Sequence, residues 1–240
     1  MNLLFTTIAD QNIKDMTEIT HPIFKRFAKA WNADFLILDE KYDAIDCPGT
    51  GRIYYRMMEI YNLLKEYDRV LLIDSDMLIN KDCPNIFKIV PYEKIGVVYE
   101  DKGSLAEERY IRILKIQKIF GNIGWKTGYV NSGCLLVSKI HKDIFQKING
   151  QYYHGRGWND VLLGYNIHKL GFEVHELPYL FNHQRVFSEK WNGSPSRFDS
   201  YIIHYAGEGL RDKRDVFGKK IKTRAQQIKS DYFRIYGKKS

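Results

Sequence analysis

Two carboxylates that directly follow a run of apolar residues are the strongest chemical feature of the sequence. Residues 70–73 form the apolar run, and Asp74, Ser75 and Asp76 come next. Carboxylates this close repel each other, and poorly solvated carboxylates are costly unless a cation or hydrogen-bond donors satisfy them. Oxygen ligands of this kind suit Mg²⁺ or Mn²⁺, which keep open positions for phosphate groups. The spacing therefore indicates a metal site, although a turn whose acids cap backbone groups fits equally well.

The segment YVNSGCLLVS (129–138) places small and polar residues within an apolar strand pattern. Asn131 offers an amide that both donates and accepts hydrogen bonds, as a pair of sugar hydroxyls requires. Gly133 allows another group to approach the backbone closely. Taken by itself, the segment is more typical of a β-bulge in a core strand than of a binding site.

His204 follows a third apolar segment, residues 201–203, and Gly207 comes shortly after it. A histidine at the end of a strand can supply a nitrogen ligand. Arg211 and Lys213 lie a few residues further on, and their cationic side chains could hold phosphate groups. Taken by itself, this histidine is more typical of a surface position.

The patterns around these residues alternate between strands and helices. Apolar runs bounded by turn residues predict strands at 2–9, 34–39, 69–73, 95–100, 129–138, 172–176 and 201–205. Helical patterns occur at 21–32, 53–67, 84–88, 105–119, 141–148, 158–169 and 220–236. The alternation predicts an α/β fold with a mostly parallel central sheet flanked by helices. Because such sheets bind ligands outside the carboxyl ends of their strands, Asp74 and Asp76 fall where a ligand is expected.

The net charge of +8 is concentrated at the C-terminus. Residues 211–240 contain 11 Lys or Arg and 3 Asp residues, whereas basic and acidic residues balance over 1–210. We therefore divide the chain into one α/β domain, 1–215, and a basic C-terminal helical extension, 216–240. The extension is consistent with a solvated helix, with contact to phosphates or an anionic membrane, or with nucleic-acid binding. Because no aromatic-interleaved nucleic-acid motif accompanies it, we expect no nucleic-acid partner.

Cysteine usage and hydrophobicity indicate the cellular compartment. The three cysteines, Cys47, Cys83 and Cys134, lack the spacing of a metal site, so a reduced, cytosolic protein is the simplest interpretation. The first ten residues are too short and too polar for a secretory signal, and no stretch approaches about 18 consecutive apolar residues. We expect a cytoplasmic protein, with peripheral membrane association through the basic C-terminus as an alternative.

Short segments along the chain occur in an order that resembles the metal-dependent GT-A glycosyltransferases, especially glycosyltransferase family 8. That family includes glycogenin and the bacterial lipopolysaccharide galactosyltransferases. The segments are 5–9, Arg56, 74–76, 131–133, 158–160, 177–178 with Asn182, and 204–207. The resemblance covers about residues 1–215, and DRVLLIDSDMLI and YVNSGCLLVS are its most specific parts. It implies a GT-A fold, in which a Rossmann-like α/β sheet binds the donor.

The resemblance also implies a donor site built around a metal ion. Asp74 and Asp76 match the family's Asp-X-Asp motif and His204 its third metal ligand, so they would hold Mn²⁺, or Mg²⁺, on the diphosphate of a nucleotide sugar, expected to be a UDP-sugar. The residues expected to bind this cofactor pair are Thr6, Thr7, Ile8, Ala9, Arg56, Asp74, Ser75, Asp76, Gly207, Arg211 and Lys213. Residues 6–9 match the strand that cradles the base and ribose, and Arg56 matches a basic position near the donor.

Two departures from the family pattern affect the expected chemistry. The family's Asp-Gln-Asp block is WND (158–160) here, so a tryptophan replaces the first acid. The family's HXXGXXKPW block is HYAGEGLRD, with Leu210 where the lysine would stand. Arg211 or Lys213 could replace that lysine.

The reaction that the resemblance implies is transfer of a hexose from the nucleotide sugar to a hydroxyl of a glycan or glycoconjugate, with retention of anomeric configuration. The expected catalytic residues are Asn131, Asn159 and Asp160, which would orient the sugar and the acceptor. Asp160 is the acid we nominate as nucleophile or stabiliser at the anomeric carbon.

Two other functions compete with this interpretation. A haloacid-dehalogenase-like phosphatase also uses Asp-X-Asp after a strand, but on its first strand, and with Thr or Val where this chain has Leu78. A nucleotide-sugar-binding protein without catalysis would fit the altered block at 158–160.

Overall fold

The computed structural model of the chain describes residues 1–44, 46–47, 49, 51–207, 214–215 and 218–237. Its strands are β1 (Leu3–Ile8), β2 (Asp34–Leu38), β3 (Arg69–Ile73), β4 (Met77–Ile79), β5 (Ile95–Tyr99), β6 (Val130–Ser138), β7 (Val174–Glu176) and β8 (Ile202–His204). Its α-helices are α1 (Lys14–Ala30), α2 (Gly51–Tyr54), α3 (Ile60–Glu66), α4 (Ile86–Ile89), α5 (Ala106–Phe120), α6 (Trp158–Leu170) and α7 (Arg224–Tyr236).

Six of these strands form a central sheet in the order β2-β1-β3-β6-β5-β7. β6 runs antiparallel to its neighbours β3 and β5, whereas the other adjacent pairs are parallel. The predicted α/β architecture with a mostly parallel central sheet is confirmed. β4 and β8 form a separate antiparallel ladder. Since β4 follows β3 after only residues 74–76, this ladder begins where β3 ends.

β3 is buried on both faces, as its continuous apolar sequence predicts. Leu71 lies in the core cluster that contains Phe24 of α1, whereas Leu72 lies in the cluster that contains Leu64 of α3. Successive side chains of a strand point to opposite faces, so helices are needed on both sides of the sheet. The turn after β3 therefore extends from a strand that is packed on both sides.

The first helix begins earlier than its predicted span of 21–32. That span was predicted from the helical spacing of its apolar residues alone. In the structure α1 begins at Lys14, and Pro22 lies inside it. Burial of Met16 and Thr20 adds the preceding turns to the packed face, so tertiary packing outweighs the local signal.

The predicted helices 53–67 and 141–148 are observed in a different form. The first is divided into α2, a 3₁₀-helix over Tyr55–Glu59, and α3. The second is a 3₁₀-helix over Lys139–Phe145. Among the described residues, no helix combines the length and apolar character needed to cross a membrane.

The last helix, α7, shares its core with α1 and the β4-β8 ladder. Its Ala225 and Ile228 are buried in the same cluster as the side chains of α1. Asp231 is also buried and accepts hydrogen bonds from Arg197 Nε at 2.9 Å and from Tyr205 Oη at 2.6 Å. The division between domain 1–215 and extension 216–240 stays a prediction.

Candidate metal centre and adjoining cleft

Three ligand-type side chains meet just beyond the carboxyl end of β3. One ligand atom from each of Asp74, Asp76 and His204 lies within 4.8 Å of the other two. The Nε2 atom of His204 is 3.3 Å from Oδ1 of Asp76 and 3.8 Å from Oδ2 of Asp74. The β4-β8 ladder brings them together, because Met77 is paired with His204. The three residues predicted as metal ligands are thus neighbours in space.

The turn between the two aspartates is held from behind by Ser75. Its hydroxyl donates a hydrogen bond of 2.7 Å to the carbonyl of Ile8 and lies 2.9 Å from the hydroxyl of Thr7. Its carbonyl accepts a 2.9 Å hydrogen bond from the hydroxyl of Thr20. These bonds fix the turn without using either aspartate carboxylate.

The imidazole of His204 is oriented by Asn182. Nδ1 of the ring lies 2.8 Å from Oδ1 of the amide. An amide oxygen can only accept a hydrogen bond, so Nδ1 carries a proton and Nε2 is the ring nitrogen that faces the carboxylates. Metal-bound histidines are usually held in this way by a partner on the other nitrogen.

A chain of buried side chains fixes the orientation of that amide. Nδ2 of Asn182 donates to Oδ1 of Asn131 at 2.8 Å, and Asn131 donates through Nδ2 to the carboxylate of Glu100. Glu100 in turn accepts a 2.7 Å hydrogen bond from Nε of Arg109. Because a carboxylate accepts only, the direction of every bond from Glu100 to His204 is determined.

The clustered charges change one another's protonation. Burial and the charge of Asp76 raise the pKa of Asp74 to about 7. Burial alone would raise the pKa of Asp76, but His204 and Arg224 outweigh it and lower that pKa. Burial alone would lower the pKa of His204, but the two carboxylates outweigh it and raise that pKa. Two carboxylates and a correctly oriented imidazole nitrogen suit Mn²⁺ or Mg²⁺, whose charge would relieve the repulsion between the acids.

A cleft of about 430 Å³ opens beside this cluster. Of the residues predicted from the sequence, it brings together Ile8, Asp74, Ser75, Asp76, Asn131, Asn159, Asp160, His204 and Gly207. A second cleft of about 510 Å³ shares Asn131, Asp160 and Gly207 with the first. The two clefts therefore adjoin, and these three residues line both of them.

The side chain of Asp160 at the start of α6 is held against β6. Its Oδ1 accepts a 2.9 Å hydrogen bond from the backbone N–H of Ser132 and another from the Ser132 hydroxyl. Burial raises the pKa of Asp160, although these hydrogen bonds act in the opposite direction. Nδ2 of Asn159 lies 3.0 Å from the same hydroxyl. Gly157, directly before this helix, adopts a positive φ of 98°.

Several residues predicted to bind the nucleotide lie behind the cleft. Thr6 is fully buried and donates through Oγ1 to the carbonyl of Leu36 at 3.0 Å. Thr7 contacts the turn, as described above, and the carbonyl of Ala9 accepts a 3.2 Å hydrogen bond from Nη1 of Arg56. Their roles toward a nucleotide stay predictions.

Arg56 does not line the cleft. Its guanidinium is 98–99% buried and pairs with Asp43 through Nε and with Asp10 at 3.8 Å through Nη2. Two carboxylates therefore neutralise the charge of Arg56, and its predicted place near the donor stays a prediction. Arg211 and Lys213, the other predicted cations, lie outside the described residues.

Three contributors to the site were not assigned a role from the sequence. Arg224, the first residue of α7, places Nη1 2.6 Å from Oδ2 of Asp76. Asn182 and Glu100 form the chain that orients His204. Asn182 lies in a segment that contributed to the family resemblance, whereas no local pattern marks the other two.

Comparisons with known structures agree with this architecture. The bifunctional glycosyltransferase WbbM in its apo form matches at a TM-score of 0.63 and 14% identity, covering 100% of this chain and 52% of WbbM. A glycosyltransferase involved in glycosylation of the major capsid of PBCV-1 matches at 0.57 and 13%, covering 95% and 99% of the two chains. The galactosyltransferase LgtC, in complex with donor and acceptor sugar analogues, matches at 0.53 and 16%, covering 86% and 87%.

No protein-family model and no curated protein sequence matches the chain. This chain spans about half the length of WbbM. At these identities the likeness concerns the fold. The chain has the GT-A fold of glycosyltransferases, as the resemblance implied.

Proposed function

We propose that this chain is a metal-dependent glycosyltransferase. It would move a hexose from a nucleotide diphosphate sugar, expected to be a UDP-sugar, to a hydroxyl of a glycan or glycoconjugate acceptor, with retention of anomeric configuration. One observation carries the proposal. Asp74, Asp76 and His204 form an oxygen- and nitrogen-ligand cluster at the carboxyl edge of the sheet, and that cluster opens onto a cleft. This edge is where α/β sheets bind ligands.

The donor diphosphate would lie against this cluster. Asp74, Asp76 and His204 would hold Mn²⁺ or Mg²⁺, which when bound neutralises the charge that develops on the leaving diphosphate. Asn182 keeps the proton on Nδ1 of His204, so that Nε2 remains a ligand. The amide of Asn131 is largely committed to Glu100 and Asn182, which leaves its expected contact with the sugar to its remaining N–H.

Asp160 is suited to act at the sugar. Among the described residues that line the first cleft, it is the one carboxylate besides the two metal ligands. Ser132 holds one of its oxygens, which orients the other toward a bound ligand. We propose that Asp160, with Asn159 beside it, orients a donor hydroxyl or stabilises positive charge at the anomeric carbon. The second cleft, which adjoins Asp160 and contains Gln184 and Arg185, would receive the acceptor.

The competing functions have less support. In a haloacid-dehalogenase-like phosphatase the two aspartates act as nucleophile and acid/base, whereas here both lie within 4 Å of one imidazole nitrogen, as a chelating pair would. A binding protein without catalysis would also retain the metal cluster. Turnover of a nucleotide sugar would exclude this alternative, and binding without turnover would support it. The cytoplasmic location and the contact of residues 211–240 with an anionic membrane remain parts of the proposal.

The test is release of nucleoside diphosphate from UDP- and GDP-sugars, with and without Mn²⁺, in the wild type and in Asp74→Asn and Asp76→Asn. We expect turnover of one donor that depends on Mn²⁺ and falls by about 100-fold or more in either variant. Asp143→Asn, at an exposed aspartate on the 3₁₀-helix after β6, is the matched control and should retain activity. Metal-independent turnover, or full activity in both variants, would contradict the proposal. Binding of UDP with Mn²⁺ but no turnover would favour the binding protein.

A further inference from the structure

The guanidinium of Arg224 lies against the metal cluster. Its Nη1 is 2.6 Å from Oδ2 of Asp76, and its Nη2 donates to the carbonyl of Gly207. The other oxygen of the same carboxylate, Oδ1, faces Nε2 of His204 at 3.3 Å. The carboxylate of Asp76 therefore contacts His204, a predicted metal ligand, through one oxygen and the guanidinium of Arg224 through the other.

The position of this arginine is set by the core. Arg224 opens α7 directly after Thr223, whose side chain caps the helix in a reciprocal pair with Gln226. The helix is fixed further along by buried Asp231, which pairs with Arg197. The backbone of Arg224 is thus anchored, while its side chain is about one-third exposed toward the cleft.

Charge in the cleft gives this residue a distinct role. Of the described residues that line the cleft, Arg224 is the single lysine or arginine, and the same lining contains the carboxylates of Asp74, Asp76 and Asp160. A guanidinium beside a carboxylate repels a divalent cation that approaches the same carboxylate. A diphosphate offers oxygens that accept the same forked hydrogen bonds with greater charge.

We propose that Arg224 couples the binding of the metal to the binding of the donor diphosphate. Without nucleotide, its guanidinium shields Asp76 and weakens binding of the cation. With nucleotide, the guanidinium transfers its hydrogen bonds from Asp76 to the diphosphate, which releases the carboxylate to the metal. As the bond between the anomeric carbon and the phosphate oxygen breaks, its electron pair remains on that oxygen, and Arg224 donates hydrogen bonds to the diphosphate without giving up a proton. This inference rests on the proposed function for the identity of the nucleotide.

The experiment measures Mn²⁺ affinity by electron paramagnetic resonance, first with Mn²⁺ alone and then with saturating UDP. In the wild type we expect UDP to strengthen Mn²⁺ binding. In Arg224→Gln we expect Mn²⁺ alone to bind about tenfold more tightly, because the repelling charge is gone. UDP should strengthen Mn²⁺ binding much less in that variant, because the diphosphate has lost its cationic partner. Lys229→Gln removes the same charge from an exposed position of α7 and should behave as the wild type.

Arg224→Lys is the second variant, and it keeps the charge but not the fork. We expect its affinity for Mn²⁺ alone to lie between those of the wild type and Arg224→Gln, so the inference can be tested even if the glutamine variant does not fold. Unchanged or weaker binding of Mn²⁺ alone in a folded Arg224→Gln would overturn the shielding. If the wild type binds Mn²⁺ but neither UDP nor GDP, the proposed function fails, whereas the comparison with Mn²⁺ alone still decides whether Arg224 shields Asp76.

Discussion

Nδ1 of His204 donates to Oδ1 of Asn182 over 2.8 Å, and this bond determines which ring nitrogen faces the two carboxylates. The amide is itself held by Asn131, which is held by Glu100. A residue outside the candidate metal cluster therefore fixes the orientation of a side chain within it.

Substitution of Asn182 by alanine should weaken Mn²⁺ binding more than it weakens the fold. The variant removes the acceptor for Nδ1, so the imidazole can rotate or change tautomer, and loss of such a partner costs roughly 10- to 100-fold in metal affinity. Asn166→Ala is the matched control, because buried Asn166 donates two hydrogen bonds, to Ile144 and Gln146, away from the site. Equal metal affinity in the two variants, measured by electron paramagnetic resonance, would show that Asn182 has no special role.

Substitution of Gly133 by alanine should displace His204. A Cβ atom there would lie 2.7 Å from Cε1 of His204 and 2.9 Å from Cε of Met77, which is closer than packed atoms approach. We expect Mn²⁺ affinity to fall at least about tenfold, with a loss of roughly 1–3 kcal/mol in the free energy of unfolding from overpacking.

Gly96→Ala provides the control for this substitution. Its Cβ would lie 2.5 Å from Cγ2 of Val90, so the variant is overpacked in β5 of the same sheet, away from the metal cluster. It should lose comparable stability in urea denaturation and keep its Mn²⁺ affinity. If Gly133→Ala also kept its Mn²⁺ affinity, the expected displacement of His204 from its ligand position would be wrong.

Local patterns in the sequence marked the three residues of the candidate metal cluster, but the family resemblance was needed to join His204 to the two aspartates. Asp74 and Asp76 follow a strand that its apolar run identifies, and His204 follows another. Each of the three lies at a strand end, but the antiparallel pairing of β4 with β8, rather than the alternation of strands and helices, brings His204 beside the two aspartates. The α/β architecture was predictable because the continuous apolar run of β3 predicts burial on both faces of that strand.

The ion pairs of Arg56 and Arg224 could not be predicted in this way. Arg56 has the expected position in the chain, but its guanidinium is drawn to Asp43 and Asp10, and no periodic pattern reports such ion pairs. Arg224 reaches Asp76 only because α7 packs beside the β4-β8 ladder. Contacts of this kind depend on tertiary packing between distant elements. The neighbouring residues in the sequence carry no local pattern that predicts them.

The buried pair of Glu100 and Arg109 should stabilise the fold as a unit. Both side chains are largely buried, and burial with the charge of Arg112 lowers the pKa of Arg109 to about 10. Glu100→Gln leaves a buried guanidinium without its main partner, so we expect a loss of about 3 kcal/mol in the free energy of unfolding. The double variant Glu100→Gln/Arg109→Met should cost less than the sum of the single variants.

Urea denaturation of the two single variants and the double variant measures this coupling. Glu93→Gln, at an exposed glutamate before β5, is the control and should change the free energy of unfolding by less than about 0.5 kcal/mol. Strictly additive losses would contradict the view that these two side chains act as a pair. Glu100→Gln should also weaken Mn²⁺ binding, because Glu100 anchors the chain of amides that ends at His204.

The buried imidazole of His183 should make stability depend on pH. Burial, together with the charge of Arg197, lowers its pKa to about 4, and its ring nitrogens lie 2.6 Å and 2.8 Å from the hydroxyls of Ser200 and Ser188. Because the ring binds a proton near pH 6.5 in the unfolded chain and only near pH 4 in the folded one, protonation favours unfolding between these values. This contribution to stability is complete above about pH 6.5 and is lost as the pH falls toward about 4.

Urea denaturation at pH 7 and pH 5 isolates the effect of this histidine. His183→Gln keeps a side chain that can hydrogen-bond to both serines but does not titrate. Between pH 7 and pH 5 we expect the wild type to lose roughly 2 kcal/mol more in its free energy of unfolding than this variant does. His154→Gln removes an exposed imidazole and should retain the pH dependence of the wild type. If His183→Gln lost as much stability as the wild type over this range, the ring would be protonated in the folded protein, and the hydroxyls of Ser188 and Ser200 would then both have to act as acceptors.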